Sequence, residues 1–87
     1  MYEVVVDVVL KPEILDPQGQ AVLNAVPTLG LPAPRSCRIG KHVQLEIEAD
    51  DEAAALAQAR TLAEALLSNP VIEDFRVHPA ATARAGA

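Results

Sequence analysis

The chain reads as an α+β domain with the order strand, helix, strand, strand, helix, strand. Three observations point there. Tyr2 to Lys11 alternates strictly and runs into the helix start Asp16-Pro17. His42 to Glu48 alternates as cleanly, behind a Gly40-Lys41 turn. Two segments, Pro17 to about Leu29 and the stretch that starts at Asp50-Asp51-Glu52 and stops at Asn69-Pro70, carry apolar residues at helical spacing.

In the first strand Tyr2, Val4, Val6, Val8 and Leu10 share one face. The other face holds Glu3, Val5, Asp7, Val9 and Lys11, so it is half apolar. Its valines predict partial cover by a loop or a neighbouring chain. Asp16 can cap the first helix by accepting from free N–H groups of the first turn. Pro17 suits the first helical position, where its missing N–H costs nothing. The carboxylate also meets the positive pole of the helix dipole. Val22, Ala25, Val26 and Leu29 form the helix stripe. Pro27 removes a backbone donor, which predicts a kink or a tighter final turn. Gly30 is placed to end the helix in a left-handed conformation.

After the Leu31 to Pro34 linker, a short strand is expected over Arg35 to Ile39, with Gly40-Lys41 as a hairpin turn. The next strand points Val43, Leu45 and Ile47 one way, and His42, Gln44, Glu46 and Glu48 the other. Asp50, Asp51 and Glu52 put acids at the start of the second helix. Ala55, Leu56, Ala59, Leu62, Ala63, Leu66 and Leu67 form its stripe, with alanines that allow close approach to a sheet. Arg60 and Glu64 can pair on its exposed side. Asn69-Pro70 stops it, with Asn69 tolerating the left-handed region. The last strand is expected over Val71 to Val77. The whole is the ferredoxin-like arrangement: one antiparallel sheet with both helices on one face. Residues 1–79 make one domain, and residues 80–87 read as a frayed tail.

Composition narrows the function classes. Eighty-seven residues form one small core, which commonly needs a staple. The single cysteine, Cys37, allows no internal disulfide and is expected to be a small buried apolar residue. Cysteine, histidine and carboxylates do not cluster at metal-ligand spacing. Self-association, as a dimer or a dimer of dimers, is the staple left. A net charge of −5 with only Tyr2 and Phe75 as aromatics argues against nucleic acid. No apolar run reaches membrane-span length, and the N-terminus lacks signal-peptide character. A cytoplasmic location is the expectation.

No catalytic constellation emerges. Gly19 stands alone, so the first loop is no phosphate cradle. His42 and His78 lack evident partners, and a nucleophile needs a neighbouring base. The acidic groups Glu46 and Glu48, Asp50 to Glu52, and Glu73-Asp74 read as solvated faces or caps. Arg35, Arg38 and Lys41 gather three of seven cations around one turn. That basic cluster is the candidate docking point for an acidic partner surface or a phosphate-bearing ligand.

Three segments together resemble the PurS family, the small subunit of phosphoribosylformylglycinamidine synthase. They are Val8-Val9-Leu10-Lys11-Pro12 through Ile14-Leu15 to Asp16-Pro17-Gln18-Gly19, then Arg38-Ile39-Gly40-Lys41, then Leu66-Leu67-Ser68-Asn69-Pro70-Val71-Ile72-Glu73. The resemblance spans about residues 2–78. It implies a part in purine synthesis, where formylglycinamide ribonucleotide, glutamine and ATP give formylglycinamidine ribonucleotide, glutamate, ADP and phosphate. It further implies that ATP and Mg belong to a synthetase subunit (PurL-like), and that a glutaminase subunit (PurQ-like) releases the ammonia. This chain would then carry no catalytic residue, cofactor or metal, and would bridge the other two and assist ammonia passage. Asp16, Gly19, Arg38, Gly40, Lys41, Asn69 and Glu73 become the candidate interface residues. The competing reading is an ACT-type regulatory domain, which shares this element order and binds a small molecule at a dimer interface. A third, an acylphosphatase-like enzyme, needs an Arg-bearing loop after strand one, where this chain offers only Lys11.

Overall fold

The computed structural model describes residues 1–80. The expected frayed tail lies, apart from Ala80, outside the described residues. Strand β1 (Tyr2–Leu10) is the centre of a three-stranded antiparallel sheet, flanked by β2 (Gly40–Ile47) and β3 (Glu73–Pro79). Two helices complete it: α1 (Pro17–Ala25), extended by a 3-10 turn over Val26–Leu29, and α2 (Glu52–Leu62), which widens into a π-turn over Ala63–Leu67.

The register explains the core. Val4 faces Leu45 and Pro79, Val6 faces Val43 and Val77, and Val8 faces Lys41 and Phe75. Val4, Val6 and Val8 are buried together with Ile47, the α2 alanines Ala55 and Ala59, and Ala63 at the start of the π-turn. Those alanines bring the α2 backbone close to the sheet, so the valines lose water on both sides. Each buried valine contributes roughly 1.5–3 kcal/mol relative to exposure. On the opposite face Val5 is only 1% exposed, between Gln44 and His78, whereas Val9 is 42% exposed. The cover expected for that face is thus met at Val5 within the chain itself.

The antiparallel α+β architecture stands, with four local differences. Residues 35–39 do not form a strand. Arg38 and Ile39 spend their hydrogen bonds on the loop before α1 instead (below). Gly40 is consequently not a hairpin turn but the first ladder residue of β2, opposite Val9. The only glycine with positive φ among the described residues is Gly30, at 78°, where it ends the 3-10 turn as its position predicts. Asn69 keeps a negative φ, so it stops the helix through its hydrogen bonds rather than a left-handed backbone. Arg60 turns over the ring of Phe75, 6.0 Å from its centroid, as α2 widens at Ala63.

The helices differ in how they are held. α2 packs across all three strands, whereas α1 has no comparable contact with the sheet. Gly19 is the one buried residue of α1.

Candidate subunit interface

Five of the seven candidate residues lie in two compact turn blocks, and the other two link them to the sheet. The first block forms around Asp16. Its buried carboxylate accepts from the N–H of Gly19 at 2.9 Å and from the N–H of Ile39 at 2.7 Å. One side chain therefore caps α1 and pins the segment leading into β2. Those two N–H groups, Gly19 first, hold the Asp16 carboxyl below the ordinary carboxylate range. Gly19 is required because a methyl group there would collide with the carbonyl oxygen of Cys37. Arg38 donates from one terminal nitrogen to the carbonyls of Lys11 at 2.8 Å and Ile14 at 2.7 Å. Cys37 itself is half-buried.

Gly40 and Lys41 follow at the start of β2. A side chain on Gly40 would meet the carbonyl oxygen of Val8, so close strand approach explains this glycine. Lys41 reaches from β2 to the carbonyl of Leu67 at 3.0 Å. A cation there suits the negative pole where the α2 helix ends.

The second block is Asn69 to Glu73. Asn69 accepts from the N–H of Val71 at its side chain and from the N–H groups of Ile72 and Glu73 at its carbonyl. Glu73 returns a carboxylate to the N–H of Asn69 at 2.6 Å. Next to it Lys11 pairs with Asp74 at 2.7 Å, which raises the affinity of the Lys11 ammonium for its proton. The N–H of Lys11 also donates to the carbonyl of Ile72, tying this block to the first.

A third arrangement escaped the sequence reading. On the face away from α2, Asp7 accepts from His78 Nε2 at 2.7 Å and from His42 Nδ1 at 2.8 Å. The carboxylate can only accept, so each ring nitrogen facing it carries the hydrogen. The hydrogen bond from His78 is the main cause that holds the Asp7 carboxyl below its usual range. The cluster links all three strands. Strand alternation put Asp7 and His42 on polar faces, but only the register brings them opposite each other.

These groups act mainly on their own chain. Asp16, Arg38, Lys41, Asn69 and Glu73 satisfy backbone atoms, and Gly19 and Gly40 admit them. The described residues hold no group of three or more His, Cys, Asp or Glu able to bind a metal, and no helix long and apolar enough to cross a membrane. The polar residues thus build turns around a small three-stranded sheet, which defines a small α+β domain whose polar groups hold its own loops.

The family model for PurS, phosphoribosylformylglycinamidine (FGAM) synthase, matches residues 3–81. The PurS subunit of Mycobacterium leprae is 44% identical over 77 residues, 88% of this chain and 94% of that one. The Synechocystis PurS subunit is 44% identical over 68 residues, 78% of this chain and 68% of its own length. A chain in the structure of PurLQS from Thermotoga maritima superposes with a TM-score of 0.83 at 30% identity, over 90% of this chain and 95% of that one. This chain belongs to the PurS family, the small subunits of phosphoribosylformylglycinamidine synthase. The ACT-type alternative draws no support from these matches.

Proposed function

We propose that this chain is the bridging subunit of its synthase, holding a synthetase subunit and a glutaminase subunit together. The observation that carries this is the likeness along 90% of the chain to a protein from the Thermotoga maritima PurLQS structure. The reaction turns formylglycinamide ribonucleotide, glutamine and ATP into formylglycinamidine ribonucleotide, glutamate, ADP and phosphate. On this reading ATP and Mg are bound by the synthetase subunit, ammonia comes from the glutaminase subunit, and this chain assists its passage. The chain works in the cytoplasm, and as a dimer or a dimer of dimers.

The two turn blocks serve this role by fixing shape. Arg38 acts as a clamp on the loop from Lys11 to Ile14, and Lys41 as a tie to the end of α2. The surfaces around Asp16 to Gly19, Arg38 to Lys41 and Asn69 to Glu73 are the proposed contact regions. The test is gel filtration of the three purified subunits with glutamine, ATP and Mg. Synthetase and glutaminase are expected to co-elute only when this chain is present. Equal co-elution without it would remove the bridging role.

A further inference from the structure

We propose that the open cleft between α2 and β3 binds the charged headgroup of a free α-amino acid. This site goes beyond the bridging role and holds or fails independently of it.

The cleft encloses about 600 Å³, within the range of small-molecule sites. Its walls come from α2, the turns that follow it, the start of β3, and Lys11 at the end of β1. Pro70 and Phe75 supply apolar surface, and Lys11, Arg60, Glu64, Glu73 and Asp74 supply charge. All belong to one chain, so the site is complete without a second copy. Glu64 stands in the π-turn that widens the end of α2. Such turns are rare and recur at functional sites.

Most of these charges are answered inside the chain. Lys11 and Asp74 pair at 2.7 Å, and Glu73 accepts from the N–H of Asn69 at 2.6 Å. Arg60 and Glu64 are different. Among the described residues neither side chain makes a hydrogen bond or an ion pair. Arg60 lies over the ring of Phe75, 6.0 Å from its centroid, a contact that places the cation but accepts none of its N–H groups. The cleft therefore offers one cation and one carboxylate, each still able to take a partner.

Charge selects the ligand. A plain anion drawn to Arg60 would also meet Glu64, Glu73 and Asp74. A plain cation drawn to Glu64 would also meet Arg60 and Lys11. A molecule with a carboxylate and an ammonium on one carbon satisfies both: the guanidinium takes the carboxylate in a two-pronged hydrogen bond, and Glu64 accepts from the ammonium. Residues four apart on a helix lie about 5–6 Å apart, a span that an α-amino acid headgroup bridges through its hydrogen bonds. Phe75 and Pro70 remain for the aliphatic part of its side chain.

The test is a ¹⁵N NMR titration of the full chain with each of the common α-amino acids at millimolar concentration. At least one is expected to give saturable shifts centred on Lys11, Arg60, Glu64 and the segment from Glu73 to Phe75. Its N-acetyl form and its α-amide, each lacking one headgroup charge, are expected to bind at least tenfold more weakly. Arg60→Gln and Glu64→Gln are each expected to weaken binding at least tenfold. Both positions are exposed, and the same spectra report whether the fold is kept. Should either variant unfold, the blocked amino acids on the native chain decide the matter. Absence of saturable shifts with every amino acid, equal binding of the blocked forms, or native affinity in the folded variants would each overturn the proposal. The co-elution experiment above reads the bridging role separately.

Discussion

Gly19 lies directly against the carbonyl oxygen of Cys37, with no room between them for a side chain. This contact ties the first turn of α1 to the segment that enters β2, beside the Asp16 carboxylate that grips both. Gly19→Ala sets two effects against each other. Alanine gains up to about 1 kcal/mol of helix propensity. The collision with a backbone oxygen costs about 1–3 kcal/mol, as overpacking usually does. The collision is expected to win, because backbone on both sides must move. Urea denaturation should show a lower midpoint with an unchanged slope. Gln20→Ala, at an exposed neighbour, should stay within about 0.5 kcal/mol of the native chain.

Asp16→Asn tests the double grip through pH. Asp16 has a lowered folded carboxyl pKa. Its stabilisation is therefore fully present above the unfolded carboxylate pKa, about 3.9, and is lost as pH falls through the folded value. The native chain should lose stability on acidification below about pH 4. The asparagine variant should be less stable at pH 7 and lose less on acidification. Thermal melts from pH 7 to pH 3 compare the two slopes. Parallel slopes would show that Asp16 adds no pH-dependent stabilisation.

The cluster of Asp7, His42 and His78 makes a ranked prediction. The hydrogen bond from His78 is the leading cause of the lowered Asp7 pKa. His78→Ala should therefore raise the Asp7 carboxyl pKa, measured by NMR, more than His42→Ala does. The stability cost of either change should be below about 1 kcal/mol, because Asp7 is 40% exposed and solvent screens the pair. The sign follows from the lowered Asp7 pKa: its contribution is present above about pH 3.9 and is lost as pH falls through the folded value.

Arg38→Ala should loosen the loop from Lys11 to Ile14, since both carbonyls lose their guanidinium donor. Hydrogen bonds to a charged donor are worth about 1.5–3 kcal/mol each when buried, and less on this exposed side chain. Faster amide exchange at Ile14 and Leu15, with β1 protection kept, is the expected result. Uniform loss of protection would indicate that Arg38 supports the whole fold.

Much of this was legible locally. Asp16-Pro17 reads as a helix start because a cap needs only its own first turn. Pro27 and Gly30 likewise predict the tightened turn and its left-handed end. What stayed hidden depended on distant partners. Residues 35–39 look extended, yet the N–H of Ile39 goes to Asp16 rather than to a neighbouring strand. Gly40 looked like a turn residue, yet it answers to the carbonyl oxygen of Val8, and the backbone that approaches Gly19 is the carbonyl oxygen of Cys37. The histidines seemed alone because their shared carboxylate lies 35 and 71 residues away in sequence. The family resemblance rested on the same segments, Asp16 to Gly19, Arg38 to Lys41 and Asn69 to Glu73. The structure shows that these segments form the turns that lock the domain.

The bridging role is tested most directly by measuring formylglycinamidine ribonucleotide formation with the synthetase and glutaminase, with and without this chain. Glutamine-dependent formation is expected to fall at least tenfold on omission, while formation from added ammonia persists. Equal glutamine-dependent rates in the two mixtures would contradict the account.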